Sequence, residues 1–178
     1  TRGRRMATRV SRATNSPVLA RNYDQSFSYK QRTNYIWDIL NGEPENTWGS
    51  IFTTSGVDVP LNVTGVDTTL PTARIAIKFQ GFTTTPHNVN IELNGNIVGS
   101  LTGNGYVPFG GEFTIPTSFL VEGSNSLNLK TVSGDDFVMF DSLDIRYLRR
   151  FAADQNQVKF YTTGTRGATV SGFSSSNV

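Results

Sequence analysis

The chain has 178 residues, enough for one domain with a short appendage, and it has no cysteine, which excludes a disulfide framework, a thiolate metal site and a cysteine nucleophile within it. Charged residues make up 17% and hydrophobic residues 37%, with 17 glycines beside many Thr, Ser and Asn, a profile that points away from a helical bundle and toward a β-rich, loop-rich domain. The formal charge is +2, and the longest apolar runs fall far short of the ~20 residues that span a bilayer.

That charge is unevenly spread. Six arginines (Arg2, Arg4, Arg5, Arg9, Arg12 and Arg21) precede the first acid, Asp24, and removing residues 1–21 leaves 10 basic and 14 acidic residues, a net of −4. The opening segment therefore reads as a basic, poorly ordered leader on a mildly acidic body. Such an arm can meet phosphates by counterion release. No pattern of interleaved aromatic and basic residues comes after it, which argues against a nucleic-acid partner. No charged-then-apolar signal segment opens the chain, and a Thr at position 1 reads as the start of an excerpt from a longer protein.

Residues 22–54 form an aromatic segment with Tyr23, Phe27, Tyr29, Tyr35, Trp37, Trp48 and Phe52 among polar neighbours, expected to pack on the strands downstream of it. A short helical turn is predicted over Asn34–Leu40, with Thr33 as its cap and Asn41-Gly42 as its stop. From Val57 the hydrophobic period switches to two. Ala73, Ile75, Ile77 and Phe79 alternate with more polar residues, then Val89, Ile91 and Leu93 do the same, and each run predicts a half-buried strand. Asn94-Gly95 suits the positive φ values of a type I′ turn and sends Ile97–Leu101 back as a hairpin partner. Phe113 and Ile115 belong to a strand stopped by Pro116, Leu127 and Leu129 to one entered at Gly123, and Phe137–Leu148 to the strongest strand of all. Val158–Thr162 and Ala168–Phe173 predict two shorter ones. The fold class is accordingly all-β, an antiparallel jelly-roll-like sandwich over residues 55–150, with residues 151–178 a strand segment leading toward a downstream domain.

Residues 88–132, with a strand ending in Asn94-Gly95, another ending in Pro116 and the run Gly123-Ser124-Asn125-Ser126-Leu127, resemble the galactose-binding-like jelly roll. Residues 137–173 carry Asp141, Tyr147, the basic pair Arg149-Arg150, Phe160 and Gly172-Phe173 in an order similar to the stretch just upstream of the catalytic domain in gingipain-like cysteine peptidases, the group of the type IX secretion sortase. Asn41–Phe52, with Trp48, looks like that family's segment ahead of its sandwich. The resemblance spans residues 22–173. It implies a non-catalytic accessory sandwich of a secreted or surface peptidase, with an adjoining peptidase domain as partner; the family's catalytic His and Cys would lie downstream, so no catalytic residue carries over.

The residues themselves leave few reactive candidates. His87, the single histidine, sits in Thr85-Pro86-His87-Asn88 with no Gly-x-Ser-x-Gly elbow in the chain, and is expected to be an exposed loop residue. Asp141 shares strand parity with Leu143 and Ile145, so a regular strand would aim it at the core, where it must be paired or bonded; tying a bulge or loop through backbone N–H groups is the expected role. No cofactor is expected. Calcium is the sharper alternative, with Asp58, Asp67, Asp136 and Asp141 as candidate ligands, although they form no dense Asp/Asn run. The rival function is carbohydrate binding by stacking on Trp37, Trp48 and Tyr106, against which the two tryptophans have packing as a competing role; a glycan or protein ligand thus remains open as partner. Arg149-Arg150 is a candidate processing site, with a solvated strand end as its plainer reading.

Overall fold

A computed structural model describes residues 19–39, 46–160 and 167–174; most of the basic leader, the stop at Asn41-Gly42 and Leu40 lie outside them. Contacts divide the chain into one unit of Asp24–Arg150 and a second built from residues 1–23 and 151–178. The strands are β1 (Leu19–Ala20), β2 (Asn22–Lys30), β3 (Asn34–Tyr35), β4 (Thr47–Trp48), β5 (Ile51–Phe52), β6 (Val57–Val63) and β7 (Thr72–Gly81). They continue with β8 (Pro86–Leu93), β9 (Asn96–Asn104), β10 (Pro108–Pro116), β11 (Gly123–Thr131), β12 (Val138–Arg150) and β13 (Gly167–Ala168).

In the larger unit, one sheet runs β10-β7-β12-β2 with β5 also on β12, and the other runs β6-β11-β8-β9. The strand registers recorded within both are antiparallel. The two-residue alternation read from the sequence supplies the core: Ile75, Ile77 and Phe79 of β7 face Val89, Ile91 and Leu93 of β8 and Leu127 and Leu129 of β11 in one buried cluster. Each such side chain contributes about 1.5–3 kcal/mol by leaving water. Asn94 and Gly95 have φ of 51° and 77°, the positive pair that the β8–β9 turn requires. The all-β sandwich expected from the periodicity is what forms.

Five local expectations change. Residues 22–54 do not merely cover the sandwich, because β2 is an edge strand of its five-stranded sheet and β5 pairs with β12. In place of a helical turn after Thr33, β3 pairs with β4, and the bonds Thr33 N–H to Trp48 O and Ile36 N–H to Asn46 O extend that ladder; a cross-strand partner outweighed the local capping signal. The strand expected at Val158–Thr162 is absent over its described part, residues 158–160. The one at Ala168–Phe173 shrinks to β13, which pairs parallel with β1 in the smaller unit, where Tyr23, Phe151 and Phe160 cluster with ring centroids 4.8–5.7 Å apart.

Asp141 is the fifth. The β7–β12 register passes from Phe140↔Phe79 to Ser142↔Lys78, so Asp141 is the extra residue of a β-bulge. The insertion reverses the side-chain parity: Phe140 and Leu143 both enter the main core, while Met139 joins a separate cluster with Trp48 and Ile39. Asp141 therefore does not follow Leu143 and Ile145, nor does it tie backbone N–H groups; it stands 3.3 Å from Lys30 Nζ and accepts a long bond of 3.4 Å from Ser142 Oγ. Farther along β12, Asp144 accepts a hydrogen bond from Ser28 Oγ. The guanidinium of Arg146 donates to both oxygens of Asp24 and holds that carboxyl below its ordinary range.

The Arg149-Arg150 pair closes β12. Arg150 N–H donates to Gly65 O, Arg149 forms a bridge with Val66, and Phe151 O accepts from Ser171 N–H. A peptidase needs an extended segment free of such bonds. Brief trypsin treatment of the folded chain is expected to leave the bonds after Arg149 and Arg150 intact while cutting elsewhere. Early fragments ending at either arginine, read by mass spectrometry, would restore the processing role.

Candidate functional site

Three loops meet at one end of the sandwich, between β7 and β8, between β9 and β10, and between β11 and β12. Their junction is His87, the second residue of β8. Pro86 begins this strand, a position that needs no N–H, and the alternation of Val89, Ile91 and Leu93 reaches back one further step to place His87 inside. Its side chain is fully buried, so the expected exposed loop histidine is corrected: the period of two extends farther than the Pro-containing motif suggested.

The ring has four neighbours. Nδ1 lies 2.5 Å from Asp136 Oδ1, and Nε2 lies 2.9 Å from Gly105 O. Asp136 Oδ2 accepts the Asn88 N–H at 3.0 Å. Phe109 stacks parallel to the imidazole, with centroids 5.4 Å apart and planes 3° from parallel. Behind the ring is Gly81, where an added Cβ would stand 2.1 Å from Gly105 O and 2.3 Å from Nε2. Buried polar groups must be hydrogen-bonded, and here both side chains are.

The pair has the composition of the base-and-acid half of a hydrolase triad. Its geometry serves another purpose, because Nε2, where a general base would take a proton, faces a backbone carbonyl. What the pair holds is the loop 105–107. Gly105 O also accepts Val107 N–H at 2.8 Å, closing a three-residue turn with Tyr106 at its apex, and Gly105 N–H and Val107 O bond to Thr85 O and Gly81 N–H. Tyr106 projects from that apex, 45% exposed, edge-on to Phe82 with centroids 6.5 Å apart. Phe82 in turn packs on the cluster of Ile39, Trp48 and Met139.

The sugar-stacking candidates separate accordingly. Trp48 is 1% exposed and is a core residue, unavailable for stacking, whereas Trp37 is 74% exposed. Tyr35, 67% exposed, and Phe82 are aromatic surface residues that sequence reasoning did not single out. The four aspartates considered for calcium lie apart. Asp58 accepts from Ser126 Oγ and Asn128 Nδ2, Asp67 from Thr69 N–H and Oγ1, Asp136 is committed to His87 and Asn88, and Asp141 faces Lys30. Among the described residues no group of three or more His, Cys, Asp or Glu is placed to hold a metal ion. The proposed ligand set is thus not assembled, since each carboxylate serves a local turn, ladder or pair.

No family model matches the chain and no curated protein matches it. Among solved structures, dimeric latent PorU from Porphyromonas gingivalis is similar over 83% of this chain and 15% of that one, at 11% identity and a TM-score of 0.63. The family 35 carbohydrate-binding module of Cellvibrio japonicus Abf62 covers 68% of this chain and 92% of its own at 14% identity and a TM-score of 0.45. A family 36 module of a multidomain xylanase from the hindgut metagenome of Trinervitermes trinervoides covers 68% and 95% at 13% identity and a TM-score of 0.44. These are likenesses of fold. The chain spans 15% of the length of the PorU chain it matches, and that match is longer than residues 24–150 alone can supply. Among the described residues, no helix is long and apolar enough to cross a membrane.

Proposed function

We propose that this chain is a non-catalytic accessory β-sandwich of a larger secreted or surface protein of the gingipain-like cysteine peptidase kind, acting by contact with an adjoining peptidase domain. The observation that carries the reading is the extent of the PorU likeness, which takes in more than the sandwich of this chain while occupying 15% of that protein. The burial of the single histidine against a carboxylate and a carbonyl supports it, because a nucleophile–base pair needs a reachable base. In such a protein the module would shape access to the active site or aid passage to the surface. The test uses the full-length gene product with and without residues 24–150. Deletion is expected to abolish correct folding or maturation of the peptidase part; an equally active, equally stable protein would refute the role, as would turnover of peptides or glycosides by the purified chain alone.

A second reading rests on the exposed rings of Trp37 and Tyr106. Carbohydrate modules stack pyranose faces on such side chains, and each good contact is worth about 0.5–1.5 kcal/mol. If these rings bind glycans, Trp37→Ala and Tyr106→Ala each weaken binding on a glycan array by about tenfold or less, while folding is unchanged. An array without hits removes this reading and leaves the first.

A further inference from the structure

We infer that His87 and Asp136 form a proton-dependent latch that sets the position of the Tyr106 turn. The latch rests on the second reading above, in which the exposed ring of Tyr106 meets a ligand. A carbonyl oxygen cannot donate, so the 2.9 Å contact between Nε2 and Gly105 O requires a proton on Nε2. A carboxylate oxygen at 2.5 Å from Nδ1 requires a second proton between those two atoms, because otherwise two lone pairs would face each other. The pair thus holds one proton more than a neutral ring beside a carboxylate.

When that proton leaves, one of the two bonds is lost, and the geometry decides which. Asp136 is charged, and its other oxygen is anchored by Asn88 N–H. A charge-assisted bond is about twice as strong as a neutral one, so Nδ1–H stays with Asp136 and Nε2 becomes a bare lone pair aimed at Gly105 O. The ring has nowhere to retreat. Gly81 lies against its Nε2 edge, Phe109 covers a face, and its strand neighbour across β9 is Gly103. The turn is what yields. Because Val107 N–H still bonds to Gly105 O, residues 105–107 move as a unit, stretching the bonds from Gly105 N–H to Thr85 O and from Gly81 N–H to Val107 O, and shift Tyr106 against Phe82.

The charged group facing the ring is Asp136, from the β11–β12 loop. β7, β9 and β10 present Gly81, Gly103 and Phe109, none of them titratable, and the β9–β10 turn presents Gly105 O and carries the Tyr106 phenol, whose ring lies perpendicular to that of Phe82. Asp135, next in the chain, is exposed.

His87 is the chain's single histidine, so its imidazole signals are unambiguous in the ¹⁵N-labelled full chain. The test tracks both ring nitrogens by NMR from about pH 5 to about pH 9, below the range in which a tyrosine phenol titrates, together with the Gly105, Tyr106 and Asn88 amides and the Phe82–Tyr106 ring cross-peak. As pH rises, Nε2 is expected to lose its proton while Nδ1 keeps its own. The Gly105 and Tyr106 amides shift and the ring cross-peak changes in the same transition, while Asn88 stays in place. In His87→Gln that transition is absent. The latch is overturned if the ring loses the Nδ1 proton instead, if it titrates with the turn unmoved, if it keeps both protons throughout, or if the turn titrates equally in His87→Gln. Should that variant fail to fold, the wild-type ring signals still decide. None of these readouts involves a ligand or partner, so failure of the latch is distinct from failure of either reading above.

Discussion

Gly81→Ala is expected to be the most damaging single methyl group that can be added at the loop end. Gly81 is not among the positive-φ glycines, so its backbone would accept alanine and the penalty is purely one of space. The new Cβ would lie 2.1 Å from Gly105 O and 2.3 Å from His87 Nε2. Neither neighbour is a flexible side-chain end: one is a backbone carbonyl in a closed turn, the other a buried ring held at both nitrogens. Overpacking of this kind costs about 3 kcal/mol, or roughly 6–12 °C in Tm for a chain of this size. Gly134→Ala is the control. It lies outside the positive-φ set and meets nothing within 4 Å, so its urea midpoint should match the parent. Equal midpoints for all three proteins would mean that the β7 end and the turn are not packed as described.

Asp136→Ala is expected to have an effect of similar size. It removes the carboxylate that meets His87 Nδ1 and accepts the Asn88 N–H, so both buried groups lose that partner. Leaving a buried polar group without its partner costs about 1–3 kcal/mol, and two groups lose theirs here. The double variant His87→Ala/Asp136→Ala removes both groups, so it should be less destabilised than the sum of the two single changes, with a coupling of about 1 kcal/mol or more. Urea unfolding of the four proteins completes the cycle. Strict additivity would show that the two side chains do not act as a pair.

Both predictions concern residues that the sequence presents in an ordinary light. Gly81 ends a strand, as glycines often do, and His87 comes after a proline in a run of threonines. A clue was present for His87, since the inward positions Val89, Ile91 and Leu93 continue backward in steps of two to residue 87, but the proline argued for a loop and masked it. Asp136 offered no comparable clue, because the turn Gly134-Asp135-Asp136 reads as solvated and its partner is 49 positions away. The aromatic surface was partly legible. Tyr106 in its glycine-flanked loop is exposed as expected, yet Trp37 and Trp48, similar in their surroundings in the chain, end at opposite extremes of burial. Trp48 is a β4 residue sealed in a cluster with Ile39 and Met139, whereas Trp37 lies in the turn that follows β3.

The amino-acid order alone determined the all-β class, the core strands from β7 to β12, the β8–β9 turn and the buried faces of β7, β8 and β11, because side-chain alternation and positive φ are properties of a few consecutive residues. Only the tertiary structure decided which carboxylate meets the histidine, which tryptophan is buried and where β12 changes parity. Those outcomes rest on contacts between segments far apart in the chain, and a local pattern carries no record of the partner that a strand will meet.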